Sequence, residues 1–100
     1  MRRALVYSPE AQADLDEIFD FIAADNPRRA RTYVEEIRQA CRNLCETPFL
    51  GMKRPDLRPG LHILPLWRRI AIAYELPPGR VDVLRVFSAG QDYEAIIAGD

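Results

Sequence analysis

The chain has 100 residues, of which 48% are hydrophobic and 29% charged, and its formal net charge is -1. Those values suit one folded domain over residues 1–100 and argue against intrinsic disorder. No apolar run reaches the ~18 residues of a membrane helix, and no secretion-type stretch follows Arg2 and Arg3. Two Cys make no disulfide framework, so a cytoplasmic location is expected.

Residues 3–7 are short and apolar, and they stop at Ser8-Pro9, so a first strand is expected there. Ser8 can accept from the free N–H groups of a first helical turn, and Pro9 fits the first helical position. Ala11, Leu15, Ile18, Phe19 and Ile22 then recur at three- and four-residue spacing, while Asp14, Glu17 and Asp20 are expected elsewhere on the cylinder. The pattern predicts an amphipathic helix of about four turns. Asn26-Pro27 repeats the start signal for a second helix, whose seam is Ala30, Val34, Ile37, Cys41 and Leu44 and which ends before Pro48. Two helices joined so closely should form an antiparallel hairpin.

Residues 48–60 hold Pro48, Gly51, Pro55, Pro59 and Gly60 and are expected to be loop, with Pro59-Gly60 in the order of a type II turn. Three strands should follow. Residues 61–66 make a short one, which Pro65 assigns to an edge or a strand end. Residues 69–76 alternate, with Ile70, Ile72, Tyr74 and Leu76 on one side and Ala71 and Ala73 on the other. Pro77-Pro78-Gly79 turns the chain into a β-branched strand over residues 80–87. Residues 92–98 read as a last helical turn or a tail. The expected fold is α+β, in the order β-α-α-β-β-β, with the helical hairpin packed on a small, mainly antiparallel sheet.

Of the 14 basic residues, all but Lys53 are Arg, which suits carboxylates, phosphates and aromatic faces. They are unevenly spread. Residues 1–26 carry two Arg against six carboxylates, whereas residues 53–69 carry five basic groups against Asp56. Such separation suggests a surface built to meet a partner. Trp67-Arg68-Arg69, at a turn, could stack on a base, form a protein-contact hot spot, or cap the core. Cys41 and Cys45 share a helix face without the further ligands a metal site needs, and packing favours the core for them. The lone His62 is a candidate acid/base or a half-exposed strand residue. No phosphate loop, nucleophile elbow, HExxH or paired-Cys motif occurs.

The assembled pattern resembles the RelE/ParE family of toxins from bacterial toxin–antitoxin modules, and its ParE branch in particular. The carrying segments are Ser8-Pro9-Glu10-Ala11-Gln12-Ala13-Asp14-Leu15-Asp16-Glu17-Ile18 and Asn26-Pro27-Arg28-Arg29-Ala30. They continue with Gly51-Met52-Lys53-Arg54-Pro55-Asp56-Leu57-Arg58-Pro59-Gly60-Leu61, residues 69–74 and Val83-Leu84-Arg85-Val86-Phe87. RelE-like members cleave mRNA on the ribosome with a scattered Lys/Arg set and a C-terminal Tyr, whereas ParE-like members inhibit DNA gyrase with no known catalytic side chain. Two cationic positions of the nuclease branch fall near Ala71 and Gln91 here, which favours the ParE branch. Where many ParE-like chains have Ala-Arg-Asp after the last strand, this one has Ala89-Gly90-Gln91-Asp92.

The resemblance implies a gyrase-inhibiting toxin with no cofactor, no metal and no catalytic residue of its own, neutralised by a ParD-like antitoxin. DNA would be met only through antitoxin or gyrase, and no membrane is involved. Arg54, Arg58, Trp67, Arg68 and Arg69 are the expected contact residues. The alternatives are a ribosome-dependent mRNA endonuclease using His62 or Tyr93, and a non-toxic module that retains only antitoxin binding.

Overall fold

Ser8 and Asn26 start the two long helices of the computed structural model, which describes residues 2–99. After the first strand, β1 (Ala4–Tyr7), Ser8 Oγ accepts from the Ala11 N–H at 3.0 Å and opens α1 (Pro9–Ala23). The same hydroxyl donates to the Leu84 carbonyl at 2.7 Å, so one side chain caps the helix and ties it to the sheet. Asn26 Oδ1 accepts from the Arg29 N–H at 3.0 Å and opens α2 (Pro27–Leu44). Removing such a cap typically costs about 1 kcal/mol. The two helices pack against each other as a hairpin.

The sheet has five strands in the order β1-β5-β4-β3-β2, with β2 at Met52–Lys53, β3 at His62–Leu66, β4 at Ile70–Glu75 and β5 at Arg80–Ser88. β1 runs parallel to β5 and every other pairing is antiparallel. Alternation along β4 puts Ile70, Ile72 and Tyr74 under the helical hairpin with Leu15, Ile37, Cys41 and Leu44. Ala73 faces the other way, into a smaller cluster with Leu61, Ile63 and Phe87. That second face is covered by α3 (Tyr93–Ala98), whose Ile96 and Ile97 pack on it. Asp92 Oδ1 accepts from the Ala95 N–H at 3.2 Å, which resolves residues 92–98 as a capped helix.

One element of the fold differs from the sequence expectation. Residues 48–60 are not all loop, because Met52 and Lys53 pair with Ile63 and His62. The element order is therefore β-α-α-β-β-β-β-α. The pairing depends on Gly51, where a Cβ would lie 2.6 Å from Tyr74 Oη and 2.9 Å from the Ile63 carbonyl oxygen. The Gly51 N–H donates to Tyr74 Oη at 3.0 Å, and that hydroxyl donates to the Pro48 carbonyl at 2.8 Å. Gly51→Ala should therefore force the loop off the sheet and destabilise the fold by about 1–3 kcal/mol, read as a lower urea midpoint.

Pro65 sits where the sequence places it. β2 covers only His62 and Ile63, so the end of β3 is an open edge that needs no donor there. Gly60, at φ 79°, completes the expected turn, closed by the Leu61 N–H on the Arg58 carbonyl at 3.1 Å. Among the described residues no helix is long and apolar enough to cross a membrane.

Candidate functional site

The β3–β4 connection is a two-residue hairpin loop of Trp67 and Arg68. The Arg69 N–H closes it on the Leu66 carbonyl at 2.9 Å. Loops of this kind require positive φ at both central residues and are normally Asn-Gly. Here Trp67 has φ 52° and Arg68 φ 58°. Each non-glycine residue held there costs roughly 1–2 kcal/mol. Part of that is offset by the indole, whose centroid lies 5.3 Å from the Tyr33 ring on α2. Tyr33 is itself flanked by the Arg29 guanidinium, 5.1 Å from its centroid. Trp67 thus props the turn against the helical hairpin while staying 48% exposed.

Beside this turn a cleft of about 450 Å³ opens between the hairpin and the sheet. Ile18, Ile22, Ile70 and Val86 line its apolar part. Phe21 stands at its rim, 85% exposed, which is unusual for a large aromatic side chain. Glu17 and Arg69 also line it, on α1 and at the start of β4 respectively. The arrangement suits an amphipathic segment: apolar where the partner would be buried, charged at the edges.

Asp14 lies under this cleft and corrects the sequence expectation that placed it off the buried face. It is 9% exposed, three residues after Ala11 and four before Ile18 on the seam. Its carboxylate accepts both guanidinium bonds of Arg85, at 2.8 and 3.0 Å, and the Val86 N–H at 2.8 Å. The guanidinium also stacks over Phe87, with its carbon 4.9 Å from the ring centroid. This bidentate pair fixes α1 to β5 and so sets the cleft's shape.

The other candidates fall in different places. Arg68 and Arg69 share the turn with Trp67, and no ion pair involves either among the described residues. Arg54 is engaged by Asp56 and by Glu94 of α3, and the guanidinium holds Asp56 below the usual carboxylate range. Arg58 bonds Glu75 at 3.2 Å. Both lie before β3, whereas Trp67 follows it; a five-residue strand separates the groups by roughly 16 Å. The five residues therefore do not form one patch.

His62 is not half-exposed. It is 7% exposed, stacked on Tyr74 with centroids 5.1 Å apart, and its Nδ1 lies 3.2 Å from the Gly60 carbonyl, which can only accept. It stands at the opposite end of β3 from Arg68 and Arg69. Tyr93 does share a cleft of about 270 Å³ with those two Arg, on the other face of the sheet. Gln91 Oε1 accepts from the Ser88 N–H at 2.8 Å and closes the turn that contains Gly90, at φ 91°.

Cys41 and Cys45 are both buried and free. Burial pushes the Cys41 thiol up to about 11 from 9.0. The folded protein keeps that proton where the unfolded chain releases it. Its contribution is intact below about pH 9 and is lost as the pH rises toward 11, by roughly 2–3 kcal/mol. Urea titrations across that range should show the loss, and Cys41→Ala should remove its share of the slope.

The family described as ParE toxin of type II toxin–antitoxin system, parDE, matches over residues 5–93. Among solved structures, the chain is similar to one from the chromosomal ParDE toxin–antitoxin system of P. aeruginosa. The two are 26% identical, with 87% of this chain and 96% of that one covered and a TM-score of 0.74. A chain of the RelBE2 toxin–antitoxin complex of Mycobacterium tuberculosis shares the fold, at 19% identity, 88% and 99% coverage and a TM-score of 0.60. No curated protein matches the chain.

Proposed function

Since the chain belongs to the ParE toxin family of type II toxin–antitoxin systems, we propose that it inhibits DNA gyrase and is silenced by a ParD-like antitoxin. The antitoxin lays an amphipathic segment into the cleft between the helical hairpin and the sheet. The observation that supports this is the cleft itself, lined by Ile18, Ile22, Ile70 and Val86, with exposed Phe21 and Arg69 among its lining residues and the half-exposed Trp67 packed on Tyr33 beside it. Such a surface is apolar enough to drive association once a partner covers it. Arg69, which lines the cleft, and Trp67, on the turn beside it, are the contact residues of that surface, while Arg68 lines the smaller cleft on the other face of the sheet. Arg54 and Arg58 are tied to carboxylates of this chain and serve mainly to hold the loop and α3.

Inducing the toxin alone should arrest growth and raise a DNA-damage response, and co-expressing the antitoxin encoded beside it should rescue. Normal growth with abundant folded protein would overturn the reading. Normal growth together with tight antitoxin binding would select the non-toxic module instead.

One observation favours a second reading. Tyr93, Arg68 and Arg69 line a cleft that contains no carboxylate, a setting in which a phosphodiester could sit. Cleavage of RNA there would yield new 5′ ends in cellular mRNA and rapid loss of translation. His62 takes no part in that reading, because it is buried at the far end of β3.

A further inference from the structure

The cleft between the helical hairpin and the sheet holds two opposite charges that do not meet. Glu17 and Arg69 both line it, yet no ion pair involves either one among the described residues. The third charged side chain there, Asp14, is already satisfied by Arg85 and the Val86 N–H. The broad cleft at the other end of the sheet, about 710 Å³, is different: its Arg80 pairs with Asp82 and its Glu75 with Arg58, so both carboxylates are engaged and the charge left over, Lys53, is of one sign. The cleft beside Trp67 thus brings together unpaired charges of opposite sign along with apolar side chains.

While the cleft is open, water solvates both groups and the separation is harmless. A segment that covers the cleft removes that water, and a charge left buried without a partner is strongly unfavourable. The covering segment must then supply the opposite charges itself. We propose that Glu17 and Arg69 are the specificity-determining residues of this surface. They select an amphipathic helix that carries a Lys or Arg where it crosses Glu17, a carboxylate where it crosses Arg69, and apolar side chains between.

The inference rests on the antitoxin-docking reading above and adds a polarity to it. Glu17 stands one helical turn before Phe21 on α1, so the cation of the partner lies next to the apolar side chain that meets Phe21. A helix laid in reverse, or a related antitoxin with these charges exchanged, places like charges together and is rejected. The polarity thus fixes both the direction of the segment and the choice among similar antitoxins.

The test titrates the full-length antitoxin encoded beside the toxin gene into four toxins: wild type, Glu17→Lys, Arg69→Glu and Phe21→Ala. Melting curves confirm that each is folded, and Glu17→Gln and Arg69→Gln stand in for any reversal variant that is not. Each charge reversal should weaken binding about tenfold or more, with a slower on-rate and an altered salt dependence. An antitoxin whose Lys or Arg opposite Glu17 is changed to Glu should restore binding to Glu17→Lys. Wild-type affinity for both reversals, with Phe21→Ala weakened, would overturn the polarity and leave the docking site standing. Wild-type affinity for all three would overturn the docking site and the polarity with it.

Discussion

Replacing Asp14 by Ala should destabilise the protein by about 3 kcal/mol, the lower end of the range for removing one partner of a buried ion pair, because the Arg85 side chain stays 28% exposed to water. The change takes the acceptor from two guanidinium bonds and from the Val86 N–H, all within 3.0 Å. Backbone and side chain lose their acceptor together, so relaxation of one cannot satisfy the other. For a chain of 100 residues, each kcal/mol moves Tm by roughly 4–8 °C, so a fall of more than 10 °C is expected by calorimetry. Asp14→Asn keeps the shape and one acceptor and should fall in between. A change below 1 kcal/mol for Asp14→Ala would show that the pair does not anchor α1 to β5.

Trp67→Ala should act the other way round, sparing the fold and weakening the partner complex. Inside the chain the indole makes one tilted aromatic contact, to Tyr33 at 5.3 Å, worth roughly 0.5–1.5 kcal/mol. At an interface, a half-exposed Trp beside an apolar cleft belongs to the class whose truncation costs 2 kcal/mol or more. The antitoxin Kd should rise about 30-fold or more, while Tm falls by only a few degrees. Trp67→Phe should recover part of the affinity. Calorimetric titration beside a thermal melt separates the effects, and an unchanged Kd would remove Trp67 from the interface. The positive φ at Trp67 and Arg68 is consistent with this role, because such strain persists where the surrounding structure or a partner compensates it.

What the sequence made legible was local. Ser8-Pro9 and Asn26-Pro27 announce helix starts through groups within three residues, and both caps form with the expected geometry. The alternation of Ile70, Ile72 and Tyr74 against Ala71 and Ala73 requires only the period of a strand, and it sorts those residues between the two clusters. Asp14 was misplaced because a carboxylate on an amphipathic helix is exposed by default. The partner that buries it lies 71 positions away.

The same contrast explains the remaining differences. Met52–Lys53 carries no strand signal of its own, and its pairing depends on Gly51 fitting under Tyr74. The Trp67-Arg68 loop lacks the Asn-Gly pair that announces such turns, so only the dihedral angles expose its strain. Arg54 and Arg58 looked like neighbours of Arg68 by proximity in the chain. β3 carries them to the opposite end of the sheet, where carboxylates of the same chain engage them. Glu17 and Arg69 emerged as a pair only once helix and sheet were brought to one cleft.

The measurement that bears most directly on the account is DNA supercoiling by purified gyrase in the presence of this toxin, with and without its antitoxin. Loss of supercoiling with accumulation of cleaved DNA, reversed by prior addition of the antitoxin, is the predicted result. Undisturbed supercoiling, together with new 5′ ends in mRNA when the toxin is induced, would contradict it.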